Sequence, residues 1–61
     1  MTRHGFLITF MDVRTNETEI QEFGSYNDYL GAFDECLTYA KAELLSAFSK
    51  YHIIKSIEYM H

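Results

Sequence analysis

The stretch YNDYLGAFDECLTYAKAELLSAFSK, residues 26–50, decides the architecture. Tyr26, Tyr29, Leu30, Phe33, Leu37, Ala40, Leu44 and Phe48 recur every three or four positions, the spacing of one apolar face of a helix. Ser25, with Asp28 three positions on, makes a start resembling a capping box. Asp28, Asp34 and Glu35 lie toward the positive N-terminal end and Lys41 and Lys50 toward the C-terminal end, as the helix dipole prefers. Gly31 costs about 1 kcal/mol relative to Ala in a helix interior, which suggests close backbone packing there or simple tolerance.

Both flanks alternate like strands. Residues 5–13 are dense in β-branched and aromatic side chains, with Phe6, Ile8 and Phe10 on one side and Leu7, Met11 and Val13 on the other. A strand apolar on both faces is central or covered twice. The polar run Arg14-Thr15-Asn16-Glu17 offers a turn in which Asn16 best accepts a left-handed backbone. Residues 18–23 form a short polar second strand, guarded by charge like an edge, with Ile20 its best core residue. Gly24 ends it. Residues 52–60 read as a third strand of ambiguous facing: Ile53, Ile57 and Tyr59 share one side with Lys55, and Ile54 and Met60 share the other with Glu58.

The order β-β-α-β constrains the topology. A right-handed crossover that sets the third strand beside the first predicts an α+β fold with a three-stranded antiparallel sheet in the order 2-1-3. One long helix then packs on one sheet face, the face carrying Phe6, Ile8 and Phe10. Leu7, Met11 and Val13 remain on the other, where nothing else in the chain can cover them.

Length and composition bound what such a chain can do. The 61 residues make one compact domain, 1–61, which buries only about 60% of the surface exposed by its unfolded chain. Small scaffolds add disulfides, metals or oligomerisation, and the single Cys36 excludes an internal disulfide. A hydrophobic content of 48% supports a packed core. No apolar run approaches the roughly 20 residues that span a bilayer, so no membrane partner is expected and the expected compartment is cytoplasmic. The net charge of -4, with five scattered basic residues, disfavours direct nucleic-acid binding.

Catalytic chemistry finds no foothold. His4, His52 and His61 show neither close ligand spacing nor a cysteine arranged for zinc, so no metal or cofactor is expected. Cys36 has no nearby histidine in sequence to activate it and reads as a partly buried, inert thiol. Asp34 and Glu35 are adjacent and project about 100° apart on a helix, a poor geometry for paired acid/base work. The five tyrosines suit core margins, with rings buried and hydroxyls wet, better than a base-stacking platform, which would need interleaved cations. Small tautomerases of similar length use a proline directly after the initiator methionine; here Thr2 stands in that place. The expectation is that the chain is not an enzyme.

Charge layout is the remaining clue. Between Asp12 and Glu35 seven carboxylates face one arginine, Arg14. Edge protection and helix capping account for part of this. The functional alternative is an acidic edge of Glu17, Glu19, Glu22, Asp34 and Glu35 that engages a basic surface on another protein. In size, acidity and aromatic content the chain resembles small phage or mobile-element proteins that inhibit host nucleases, toxins or defence complexes. That resemblance implies an inhibitor or antitoxin-like factor that blocks a larger, nucleic-acid-handling protein. The competing expectations are a homodimeric structural module joined through Leu7, Met11 and Val13, and a minor enzyme assembled between subunits around Cys36 or His52.

Overall fold

The computed structural model describes residues 2–60. Its elements are β1 (His4–Asp12), β2 (Thr18–Ser25), α1 (Tyr29–Ala47) and β3 (His52–Tyr59). The sheet order is β2-β1-β3, with β1 antiparallel to both neighbours and α1 on one face, the predicted α+β arrangement. Asn16 takes the expected left-handed backbone, φ 62°, and its N–H donates to the Asp12 carbonyl at 2.8 Å to close the hairpin.

Phe6, Ile8 and Phe10 are fully buried on the helix side of β1, and the helix meets them with Ala32, Cys36 and Ala40. The contact line is therefore rotated from the expected stripe. Ala40, Leu44 and Phe48 do reach the core, but Leu30 is 76% exposed, Phe33 stands at the margin and Tyr26 precedes the helix. The reason is volume. The sheet already fills the layer with two phenylalanines and an isoleucine, so close packing requires small residues opposite them. Sequence periodicity weights large side chains and points to the wrong line.

The helix is also shorter than expected, and its cap is Asp28 rather than Ser25. The Asp28 carboxylate accepts from the Gly31 N–H at 2.8 Å, satisfying one orphan donor of the first turn. A side chain at Gly31 would place its Cβ 2.9 Å from the same Asp28 oxygen, so the glycine gives the cap room. With these ends, no acidic residue lies in the first turn and no basic one in the last.

β2 runs through Gly24 to Ser25. Gly24 does not break the strand; it seats the Arg3 guanidinium, which any side chain there would displace. A bulge settles the facing of β3. Thr9 pairs with Ser56 while Phe10 pairs with Ile54, leaving Lys55 as the extra residue. The extra residue reverses the alternation, so Ile54, Ile57 and Tyr59 all lie opposite helix-side residues of β1 and Ile53 lies opposite Met11.

Candidate functional site

Because Phe6, Ile8 and Phe10 point to the helix, Leu7, Thr9 and Met11 point away from it. The pairings build three rows on this open face. Leu7 lies between Glu22 and Glu58, Thr9 between Ile20 and Ser56, and Met11 between Thr18 and Ile53. Val13 follows just beyond the end of β1 and is exposed. Ile20, expected in the core, is instead 63% exposed here, because its position opposite Thr9 sets its parity. Ile53 joins it. Among the described residues, no helix or strand lies over this face.

Polar groups frame one end of the strip. Arg3 crosses Gly24 and brings its guanidinium to 3.9 Å from the Glu22 carboxylate. A hollow of about 210 Å³ beside them is lined by Arg3, Gly5, Phe6, Glu22 and Met60.

The acidic residues do not form a single plane. Glu19 opposes Phe10 and Glu22 opposes Leu7, so the two carboxylates leave β2 on opposite faces. Glu35 is exposed but tied to the segment before the helix, accepting from the Ser25 hydroxyl at 2.7 Å and from the Asn27 side-chain amide. Asp34 is exposed on the helix. Glu17 and Glu19 line a groove of about 390 Å³ at the hairpin end, together with Asp12, Phe48 and His52. Asp12 is buried there and paired with Arg14, whose side-chain and backbone hydrogen bonds hold the carboxyl down to about 2. The arrangement is a ridge of negative charge around β2.

Residues weighed for catalysis lie apart. Cys36 is fully buried between helix and sheet, more deeply than expected, and desolvation pushes its thiol pKa up, away from nucleophilic thiolate. The His4 ring nitrogen lies 2.7 Å from the Tyr59 hydroxyl, within an aromatic group that includes Phe6 and Tyr29. His52 sits at the other end of the sheet, stacked 4.8 Å from Phe48. Tyr39 donates its hydroxyl to Gln21 at 2.8 Å and packs on Phe23. His61 lies outside the described residues. Among those described, no three His, Cys, Asp or Glu side chains converge to hold a metal ion, and no helix is long and apolar enough to cross a membrane.

Ile20 and Ile53 are the surface residues that sequence reasoning missed. Their parity depends on register and on the bulge, which leave no local signal. The Arg14 guanidinium stacked 4.0 Å from the Tyr51 ring centre was equally hidden, since it joins the hairpin to the turn before β3. Comparison with protein-family models, curated proteins and solved structures finds no match to this chain.

Proposed function

We propose that this protein is a small, non-enzymatic protein-protein interaction module of the inhibitor or antitoxin-like kind, which blocks a larger protein with a basic surface. The observation that carries the reading is the uncovered sheet face, where half-buried Leu7 and Met11 lie in neighbouring rows with exposed Ile20 and Ile53, and exposed Val13 follows just beyond the end of β1. Contiguous exposed apolar surface on a small domain marks a contact site. The face supplies the buried centre of the contact, and the ridge around β2, with Glu17, Glu19 and Glu22, supplies long-range attraction to a basic rim. The burial of Cys36 and the wide separation of His4 from His52 support a role without catalysis.

The test is capture of a partner from the native host by the unmodified protein and by two variants of verified fold. Met11→Lys places a charge in the strip, and Leu45→Lys alters the outer helix face, where Leu45 is 88% exposed. Loss of the captured protein with Met11→Lys alone supports docking through the sheet face. Equal capture by all three proteins overturns it.

A further inference from the structure

We infer that the outer edge of β3 pairs with the same edge of a second copy of this chain, extending the sheet across a two-fold axis. The two sheet edges are built differently. β2 carries two like charges, Glu19 and Glu22, with Glu17 just before it, whereas the two charges of the isoleucine-rich β3, Lys55 and Glu58, are of opposite sign and cancel. Like charges set opposite one another oppose self-pairing at β2, and the C-terminal half of β3 beyond Lys55 has no such repulsion.

Backbone directions identify what is on offer. The Met60 N–H donates to the Gly5 carbonyl at 2.7 Å, so by alternation Glu58 and Ser56 also turn their backbone toward β1. Ile57 and Tyr59 then direct their N–H and C=O groups outward. Pairing the two copies about Ile57 lets Ile57 exchange both hydrogen bonds with its counterpart. In that register Glu58 meets Ser56 of the second copy and Tyr59 meets its Lys55, so no like charges are set opposite one another. The bulge at Lys55 confines pairing to the C-terminal half of the strand, so association is weak and concentration-dependent.

The helix supports the same edge. Glu35, Tyr39 and Glu43 bond to Ser25 and Gln21 on the β2 side, which sets Phe33 and Leu37 on the opposite flank, above β3. Tyr29 packs on Tyr59 with ring centres 5.0 Å apart, and Tyr29, Phe33 and Tyr59 are all exposed in the single chain. A second copy beside β3 would cover them. It would also set the two acidic β2 ridges at the far ends of the assembly, which minimises repulsion between chains that each carry -4.

The experiment is sedimentation equilibrium over a wide concentration range on the synthetic chain and on versions carrying one N-methylated backbone amide. N-methylation at Ile57 removes an outward donor on β3 without changing its side chain. The same change at Ile20 does so on β2, where the Asp12 N–H to Glu17 carbonyl bond fixes outward backbone at Ile20. The unmodified chain should move from 7.2 kDa toward twice that mass. The Ile57 version should associate about tenfold more weakly or worse, corresponding to two symmetry-related hydrogen bonds. The Ile20 version and Met11→Lys should associate as the unmodified chain does. A monomer at every concentration overturns the inference, as does association that survives at Ile57 and fails at Ile20 or Met11. Because the Met11→Lys variant separates face from edge, failure here leaves the proposed docking face untouched.

Discussion

Arg14 closes on Asp12 two residues before it, donating its backbone N–H to one carboxylate oxygen at 2.8 Å and its guanidinium to the other at 3.0 Å. The same guanidinium stacks on Tyr51, and the Val13 N–H bonds to the Tyr51 carbonyl at 3.0 Å. One arginine thus ties the β1–β2 turn to the segment that leads from α1 into β3.

That pair makes stability depend on acid in a defined window. The folded Asp12 carboxyl sits at about 2 against an ordinary 3.8, lowered by its hydrogen bonds from Arg14. A depressed folded pKa contributes stability that is complete above the ordinary value and is lost as pH falls through the folded one. Urea midpoints should therefore be level above pH 4 and decline between about 4 and 2. In Asp12→Asn that decline should be shallower, and an unaltered slope would remove the pair from the account.

Core substitutions should rank by burial rather than by the apolar stripe of the sequence. Phe10→Ala removes a fully buried ring and should cost about 3–5 kcal/mol, enough to unfold a domain this small. Phe33→Ala, at a margin residue 39% exposed, should cost markedly less. Thr38→Ala should stay within about 0.5 kcal/mol of the parent. Thermal denaturation orders the three, and a Phe33 variant as damaged as the Phe10 variant would mean that the helix is rotated otherwise.

Small residues on the buried helix line predict intolerance of bulk. Cys36→Leu adds volume where the helix meets Phe6, Ile8 and Phe10, and should destabilise by about 1–3 kcal/mol. The native thiol should react with a thiol reagent at the rate of unfolding, accelerating with denaturant. Immediate labelling of the folded protein would show an open site at Cys36.

The helix start offers a contrast between two side chains three positions apart. Asp28→Ala removes the cap on the Gly31 N–H and should cost about 1 kcal/mol. Ser25→Ala removes the hydroxyl that donates to Glu35 and accepts from the Asn27 N–H, loosening the approach to the helix without uncapping it. Amide exchange in the first helical turn should accelerate in the Asp28 variant and much less in the Ser25 variant.

Charge at the β2 ridge should govern encounter rather than residence. Once a partner is in hand, Glu17→Gln with Glu19→Gln and Glu22→Gln should slow association and flatten its salt dependence, leaving dissociation nearly unchanged. Glu35 is excluded from that set because its bonds to Ser25 and Asn27 make it part of the fold. Unaltered association at low and high salt would place recognition away from β2.

The sequence alone determined the order of elements, the central position of β1 and the turn at Asn16, because these depend on local alternation, on a single left-handed residue and on the handedness of one crossover. It also determined that Leu7 and Met11 share the face opposite Phe6, Ile8 and Phe10, since alternation along one strand needs no partner. Tertiary structure alone decided the rest. The helix turned Ala32, Cys36 and Ala40 to the sheet because Phe6, Ile8 and Phe10 had already taken the volume between the layers. Ile20 and Ile53 joined the open face through their pairing with β1 and one extra residue at Lys55, and the acids separated onto two faces by the parity of β2. Each of these outcomes rests on a partner distant in sequence, so the residues that make the candidate surface became visible only when the strands were set side by side.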